Sequence, residues 1–338
     1  MQFVADVRQR AAANRQRIVF PESADPRTLA AVQVLAAERI LEPVLLLDPS
    51  RPETHAAARA TGVETIDIAA PSVADATAHR LLERRRLKGL TDEVAAQFAR
   101  DTLYAGAAIV ASGAAAGSVA GAERTTADVL RAALWLIGAA PGVSTVSSAF
   151  YMVVPPFRGA GEETLTFTDC AVVPAPTAEQ LADIAIAAAD DRRAIVGDEP
   201  RIAMLSFSTR GSGSGPSVEL VQRATALVRA RRGDLVVDGD LQGDAALIRQ
   251  VAERKAAGSA VGGTANVLVF PSLDAGNIAY KLVQRLAHAS AVGPIIQGLA
   301  KPCSDLSRGA VPDDIINVAA ITALQAGRRR DPPTKEKL

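Results

Sequence analysis

The chain has 338 residues, which is too long for one ordinary hydrophobic core and predicts about two domains of ~150 residues. Its 49% hydrophobic and 22% charged residues are typical of a globular protein and exclude a disordered one. Lysine plus arginine equals aspartate plus glutamate at 37 each, so no global field draws the chain to nucleic acid or an anionic membrane. We therefore expect neither partner, and any anion site must be local.

The N-terminus and the cysteines indicate a cytoplasmic protein. The first ten residues, MQFVADVRQR, lack the apolar core of a signal peptide. Cys170 and Cys303 lie far apart, which favours reduced thiols over a disulfide framework. Residues 102–122 carry no charge and are long enough to span a bilayer, but they are mostly small residues that transfer poorly into lipid. We predict a buried helix, a turn and a strand there.

Apolar strands alternate with amphipathic helices along the chain. Residues 17–22 (RIVFPE) read as a strand, a helix opened by Asp25 and Pro26 follows, and residues 43–48 form another strand. Residues 201–228 and 265–287 repeat the strand, loop and helix order. This alternation predicts the α/β class, with mostly parallel sheets covered by helices on both faces.

Two stretches indicate where the chain passes between the predicted domains, and the C-terminal tail has the composition of unstructured chain. GAAPGVSTVSS (138–148) indicates one boundary at Pro141 and Gly142, and AVGPIIQG (291–298) indicates a second. The charged, proline-containing tail GRRRDPPTKEKL (327–338) is predicted to be solvent-exposed chain without regular structure.

Strand-to-helix loops in such folds lie where ligands bind, and helix N-termini there suit phosphate. FSTRGSGSGP (207–216) and FPSLDAGN (270–277) have the glycines for close backbone approach, although flexible surface loops would look the same. Neither loop matches a P-loop or the dinucleotide fingerprint. The three histidines are scattered and the two cysteines have no partner at ligand spacing, so we expect no metal site. No G-x-S-x-G elbow supports a Ser-His-Asp triad.

Arginine, hydroxyl and carboxylate chemistry around phosphate remains. Ser307 and Arg308 could clamp a phosphate together. Asp313 and Asp314 fall in the first turn of the helix opened by Pro312, where acids also simply complement the helix dipole. Other arginines could also bind phosphate, but each has a structural explanation. Arg131 lies in an apolar helix, where an internal salt bridge would supply its partner. The cluster Arg84, Arg85 and Arg86 would be explained by a solvated helix face.

The chain resembles the phosphate acetyltransferase (phosphotransacetylase) family over essentially its whole length. The stretches that carry the resemblance, in the family's order, are RIVFPE, TADVLRAAL, APGVSTVSS, MLSFSTRGS, NVLVFPSLDAGNIAYKLVQRLA, GPIIQGLAKP and DLSRG. The resemblance implies reversible acetyl transfer between acetyl phosphate and coenzyme A, with coenzyme A as a substrate and no metal or bound cofactor. It also implies a homodimer.

The same resemblance implies two three-layer α/β/α domains of the isopropylmalate-dehydrogenase-like type with the site in the cleft between them. Residues 1–141 and 294–338 would form domain I, and residues 142–293 would form domain II. Ser307 and Arg308 would be the active-site pair, and Asp314 the base for the thiol. Arg85 and Arg131 would bind phosphate and coenzyme A.

Several positions depart from the family's pattern. Cys303 and Ser304 replace Val and Asn beside the site, Arg124 replaces a common His, and the last helix begins with AVPDD without the usual polar cap. These changes bear on the acyl-chain preference more than on the reaction class. Two alternatives stay open: a phosphate butyryltransferase-like enzyme for another short acyl chain, and a non-catalytic acetyl-CoA-sensing module. An acetyl-cysteine intermediate on Cys303 is a further, less favoured mechanism. Against the sensing module, the chain keeps Ser307, Arg308 and Asp314 together.

Overall fold

The computed structural model describes residues 1–327. The predicted unstructured tail therefore lies almost wholly outside the described residues. In the N-terminal part the elements are α1 (Gln2–Ala13), β1 (Arg17–Phe20), α2 (Pro26–Ala37), β2 (Glu42–Leu47), α3 (His55–Ala60), β3 (Glu64–Asp67), α4 (Pro71–Arg85), α5 (Asp92–Phe98), α6 (Thr102–Ser112), β4 (Gly117–Ala120) and α7 (Thr126–Leu136). Residues 102–122 thus form the predicted helix, turn and strand.

The remaining elements follow in the same alternating manner. They are β5 (Ser147–Val154), β6 (Glu163–Thr168), α8 (Ala178–Ile195), β7 (Arg201–Leu205), α9 (Pro216–Arg231), β8 (Val236–Leu241), α10 (Gly243–Leu247), α11 (Arg249–Lys255), β9 (Val267–Val269), α12 (Leu273–Leu286), β10 (Ser290–Gln297), β11 (Cys303–Asp305) and α13 (Pro312–Gly327). None of the helices within residues 1–327 is both long and apolar enough to cross a bilayer.

The first sheet has the strand order β11-β4-β1-β2-β3, and every neighbouring pair is parallel. Apolar side chains cover it on both faces. One cluster joins the sheet to α1, α2 and α13, and another joins it to α4, α6 and α7. Strands buried on both faces explain why the sequence shows short, continuous apolar runs such as RIVF instead of alternation.

The second sheet has the order β10-β5-β6-β9-β7-β8. β5 is antiparallel to both β10 and β6, whereas the pairs that involve β9, β7 and β8 are parallel. Helices α8 and α9 pack against one face, and α12 packs with other apolar residues against the opposite face. The predicted α/β class with mostly parallel sheets is confirmed.

The chain crosses between the two sheets twice. After α7 it enters β5, and after β10 it returns from Gln297 to Cys303, where β11 joins the edge of the first sheet. The division into residues 1–141 with 294–338 and residues 142–293 stays a prediction. The return matters for function because it places a segment from the end of the chain beside segments from its first 130 residues.

Candidate active site

A cavity of about 780 Å³ lies where residues from the two sheets meet. One side is formed by Thr126 at the start of α7, the loop after β11, and the first turns of α13. The other side is formed by α12 and by residues 291–294 of β10. The polar and charged residues that line it include Thr126, Asp305, Ser307, Asp314, Lys281 and Arg285.

β4 and β11 are parallel neighbours, with Asp305 opposite Ala120, so their carboxyl ends meet at one edge of the sheet. Each strand leads through a loop into a helix that begins at this edge: residues 121–125 lead into α7, and residues 306–311 lead into α13. Ligands of parallel α/β sheets bind at this edge. A second hollow, of about 470 Å³ and lined by Arg17, Gly113 and Lys301 among others, lies at the opposite, amino ends of the strands.

A buried carboxylate shapes the loop that follows β4. Glu22 accepts hydrogen bonds from the backbone N–H groups of four successive residues, Gly121 (2.9 Å), Ala122 (2.7 Å), Glu123 (3.1 Å) and Arg124 (2.9 Å). Burial raises the pKa of Glu22, and the four N–H groups oppose that effect. The anchored loop therefore holds the start of α7 in place.

Arg27 ties the two loops together. Its Nη1 donates to the carbonyl oxygens of Arg308 (2.7 Å) and Ala310 (2.9 Å), and its Nη2 donates to the carbonyl oxygen of Ala122 (2.8 Å). Asp25 caps α2 and pairs with Arg27 at 2.6 Å, which orients the guanidinium. The planar fork of arginine suits such a clamp, because it presents several donors in a fixed arrangement.

The structure brings Ser307 and Asp314 together on the cavity wall. Ser307 Oγ accepts from the N–H of Gly309 at 3.2 Å, and Asp314 Oδ2 accepts from the N–H of Val311 at 3.0 Å. Asp314 is thus also a local partner of the helix terminus, as the dipole alternative requires. Asp313 differs: it pairs with Arg8 at 2.5 Å.

Arg308 is exposed beside the cavity, and its guanidinium has no ion pair within residues 1–327. Its carbonyl is held by Arg27, so the backbone is fixed while the side chain stays available to an anion.

Arg85 and Arg131 do not line the cavity. Arg131 pairs with Asp128 of its own helix at 3.0 Å, the internal salt bridge that sequence reasoning offered as the alternative. The guanidinium of Arg85 lies 4.4 Å from the centre of the Trp135 ring, a cation–π contact between α4 and α7. Their predicted roles in substrate binding stay predictions.

Sequence reasoning missed the cationic wall of the cavity. Lys281, Gln284 and Arg285 lie on one face of α12 at i, i+3 and i+4 spacing, and all three line the cavity. Neither cation pairs with a carboxylate within the described chain. The spacing was visible in AYKLVQRL, but only the fold shows that this face meets the loop after β11.

A second residue pair was also missed. Asp305 is completely buried, its Oδ2 accepts from Thr126 Oγ1 at 2.6 Å, and its Oδ1 has no hydrogen-bond partner in residues 1–327. Burial raises the pKa of Asp305 to about 6; the Thr126 hydroxyl opposes this, and the neighbouring Glu22 carboxylate adds to it. A carboxyl group with such a pKa can exchange protons near neutral pH.

Cys303, Ser304 and Arg124, which depart from the family pattern, each make a local contact. Cys303 is buried away from the cavity, accepts from Ser118 Oγ at 3.1 Å, and has its pKa raised by burial to about 11. Ser304 shares a 2.7 Å hydrogen bond with Thr322, and Arg124 pairs with Asp101 at 3.0 Å. A thiol so buried and so weakly acidic is a poor nucleophile, which disfavours an acetyl-cysteine intermediate.

Comparisons with known proteins agree over nearly the whole chain. The model of a family described as phosphate acetyl/butaryl transferase matches residues 2–323. The phosphate acetyltransferase of Thermoanaerobacterium thermosaccharolyticum is 45% identical over 329 residues, which cover 96% of this chain and 100% of the relative. Among solved structures, a phosphotransacetylase from Streptococcus pyogenes is 40% identical with a TM-score of 0.89, and the EutD phosphotransacetylase from Staphylococcus aureus is 37% identical with a TM-score of 0.86. Each alignment covers 96% of this chain and 98% of the other.

The buried Asp305 carboxyl predicts a pH-dependent effect on stability. Because its pKa is raised from 3.8 to about 6, the native state binds this proton more tightly than the unfolded chain. The carboxyl is protonated in both states below about pH 3, and above about pH 6 its charge costs the fold about 3 kcal/mol, of which about 1 kcal/mol is already present at pH 4.5. Asp305→Asn should therefore increase the free energy of unfolding by more at pH 8 than at pH 4.5, measured by denaturant titration.

Asp238 provides the matched control. It is also buried, but the Ser259 hydroxyl and the Arg210 guanidinium outweigh burial and lower its pKa. Asp238→Asn should therefore decrease the free energy of unfolding at pH 8. The same sign for both variants at pH 8 would show that Asp305 is not held in a charge-disfavouring environment.

Proposed function

We propose, from the premise that the chain belongs to the phosphate acetyl/butaryl transferase family, that it transfers an acetyl group reversibly between acetyl phosphate and coenzyme A. The products are acetyl-CoA and phosphate. The observation that carries this conclusion is 45% identity to a phosphate acetyltransferase over 96% of the chain. All reacting groups belong to the two substrates, so we propose that coenzyme A acts as a substrate and that no resident cofactor takes part.

The cavity offers complementary chemistry for both substrates. Lys281 and Arg285 form a cationic wall suited to the phosphates of coenzyme A, and the exposed Arg308 stands beside Ser307 for the phosphate of acetyl phosphate. The helices α7 and α13 begin at the cavity, where N-termini favour anions. Its volume of about 780 Å³ is within the range of small-molecule sites.

In the mechanism we propose, the thiolate of coenzyme A attacks the carbonyl carbon of acetyl phosphate directly. A new S–C bond forms, the C–O bond to phosphate breaks, and phosphate leaves with that electron pair. Asp314 accepts the thiol proton, because a free thiol with a pKa of ~8.5 is mostly protonated at neutral pH. Ser307 and Arg308 stabilise the charge that develops on the phosphate and on the carbonyl oxygen.

We propose a homodimer that forms through α12. Only Gly276 of this 14-residue helix is buried, whereas Ile278, Leu282 and Leu286 are 57%, 52% and 77% exposed at i, i+4 and i+8. An apolar stripe of this kind on an amphipathic helix is typical of an interface. A second copy of the chain would cover it and would stiffen the helix that carries Lys281 and Arg285. The free, buried cysteines also fit the cytoplasmic location that we propose.

The activity and the role of Arg308 can be tested together. Purified protein with acetyl phosphate and coenzyme A should form thioester, measured by its absorbance, and should prefer acetyl over butyryl phosphate. Arg308→Gln should lower kcat/KM for acetyl phosphate by at least ~100-fold, because a preorganised charged donor to the transition state is lost.

Arg86→Gln is the control, because Arg86 is exposed and its one ion pair within the described residues is with the exposed Asp92. It should leave kcat/KM unchanged. If neither acetyl phosphate nor butyryl phosphate gives a thioester, the proposed function is wrong. Faster turnover of butyryl phosphate would favour the short-chain alternative. If kcat/KM of the Arg308→Gln variant stays within threefold of the parent's, Arg308 does not bind the phosphate in the transition state.

Asp314→Asn distinguishes the two roles of Asp314, as the base for the thiol or only as a partner of the helix N-terminus. As the base, Asp314 contributes ~100- to 10,000-fold to the rate, so kcat should fall at least ~100-fold with little change in KM for coenzyme A. Higher pH should restore part of the rate because free thiolate needs no base. Asp313→Asn, which lies one residue earlier but pairs with Arg8, should keep kcat within about threefold. If both variants change kcat by the same small factor and mainly lower Tm, Asp314 only stabilises the N-terminus of α13 and is not the base.

The dimer is tested by charge insertion on the stripe. The parent should have about twice the 35.0 kDa chain mass by light scattering after size exclusion. Leu282→Asp should shift it toward the monomer, since a buried unpaired charge is costly at an interface. The fully exposed Leu87, just after α4, is the control position, and Leu87→Asp should stay dimeric. A monomeric parent, or a Leu282→Asp variant that remains dimeric, would rule out this interface.

A further inference from the structure

Two buried carboxylates lie on either side of Gly121, directly beside the cavity. Glu22 accepts from the N–H of Gly121 at 2.9 Å. On the other side, a side-chain carbon at Gly121 would come within 2.4 Å of Asp305 Oδ1, so only glycine fits between the two acids. Glu22 is 5% exposed and Asp305 is completely buried. When both carboxylates are ionised, their like charges repel each other, and burial strengthens that repulsion.

The hydrogen bonds decide which of the two carboxyls holds a proton. Glu22 has four backbone donors, a set that stabilises an ionised carboxylate. Asp305 has the Thr126 hydroxyl on Oδ2, and its Oδ1 has no partner in residues 1–327. Burial raises the pKa of both groups, but Asp305 has fewer donors to support its charge. Asp305 is therefore the group to which we assign the moving proton, in agreement with its pKa of about 6.

Thr126 connects Asp305 to the cavity. Its hydroxyl donates to Asp305 Oδ2 at 2.6 Å, and the residue lines the cavity wall. It is not needed to cap α7, because the neighbouring Thr125 does so by accepting from the N–H of Asp128. A hydroxyl can accept one proton while it gives up another. Thr126 thus offers a one-step path between a buried acid and a ligand.

We propose that Asp305 and Thr126 form a proton relay that serves the phosphate group during the transfer reaction. The proposal rests on the proposed function. In it Thr126 is a catalytic residue that touches the phosphate, and Asp305 is a positioning and proton-holding residue that acts through Thr126. Neither residue is assigned a role by the family resemblance described above.

The relay supplies the proton that the leaving phosphate needs. When the carbonyl C–O bond breaks, its electron pair leaves on the phosphate oxygen, which is strongly basic without a proton. When Asp305 is protonated, the hydrogen bond of 2.6 Å reverses: the Oδ2–H donates to Thr126 Oγ1, and the Thr126 hydroxyl turns its own proton toward the phosphate. The Thr126 O–H bond then breaks and its proton joins the phosphate oxygen, while the Asp305 O–H bond breaks and its proton joins Thr126 Oγ1. Asp305 regains a proton from solvent, and Asp314 releases there the proton it took from the thiol. In the reverse direction each transfer runs backward.

Charged groups on every neighbouring element bear on Asp305. Glu22 follows β1 and raises the proton affinity of Asp305. The charged residues that line the cavity together with Thr126 and Asp305 are Lys281, Arg285 and Asp314. The titratable and charged groups on the neighbouring strands, loops and helices are Glu22, Arg27, Arg124, Asp128, Arg131, Cys303 and Arg308. None of these groups hydrogen bonds to the Asp305 carboxylate within the described residues; its donors there are the Thr126 hydroxyl and the backbone N–H of Leu306.

The test compares pH profiles of kcat/KM for acetyl phosphate between pH 5 and 8.5 in the parent, Asp305→Asn, Thr126→Val, Thr126→Ser and the double variant. Only protonated Asp305 can deliver a proton, so the parent should exceed Asp305→Asn by about 100-fold at pH 6, with the ratio shrinking toward pH 8.5. Thr126→Val should match Asp305→Asn, and Thr126→Ser should stay within about threefold of the parent.

The double variant Asp305→Asn with Thr126→Val should be no slower than the worse single variant, because both changes break one relay. A parent-to-variant ratio that is constant with pH, a loss below threefold at pH 6, or multiplying effects in the double variant would each overturn the relay. Thr126→Val decides the matter if Asp305→Asn fails to fold. A parent without thioester formation would instead defeat the proposed function, so the two failures are distinct.

Discussion

The site depends on three residues, Cys303–Asp305, that pair in parallel with β4 at the edge of the first sheet. This pairing brings the end of the chain back from the second sheet. It sets the loop before α13 beside the loop before α7, so two helix N-termini meet at one cavity. Arg27 then fixes both loops by their carbonyl oxygens, and Glu22 fixes one by its N–H groups. Without β11 in this register, Ser307, Asp314 and Thr126 would have no common position.

The chain is neutral overall, but its charges are separated locally around the cavity. Buried carboxylates lie beneath one wall, and on the other stand two cations of α12 that pair with no carboxylate within residues 1–327. In the function we propose, the cations attract anionic substrates, and Asp305 supplies a carboxyl group with a pKa of about 6. The raised pKa of Asp305 is unfavourable for the fold above its value of about 6. Such local instability is characteristic of functional sites, where burial and like charges shift proton affinities.

Much of the fold was predictable because it follows from local patterns. Asp25 and Pro26 do begin α2, with the Asp25 carboxylate bonded to the N–H of Arg27, and the uncharged segment 102–122 forms a buried helix and strand. The residue types of Ser307 and Arg308 already indicated a phosphate clamp, whereas their prediction as the active-site pair and that of Asp314 as the base came from the family resemblance. The relay and the cationic wall were not predictable, because Thr126 and Asp305 are 179 positions apart and meet only through strand pairing. The Arg27 clamp spans 281 positions for the same reason.

The central claim is that substrates bind between the loop after β11 and α12. Amide hydrogen exchange of the full chain, with and without coenzyme A and phosphate together, tests this location directly. The account predicts slower exchange in residues 306–311 and 280–286 when both ligands are present, with residues 113–116 at the second hollow unchanged. Protection confined to residues 113–116, or none in residues 306–311, would contradict it.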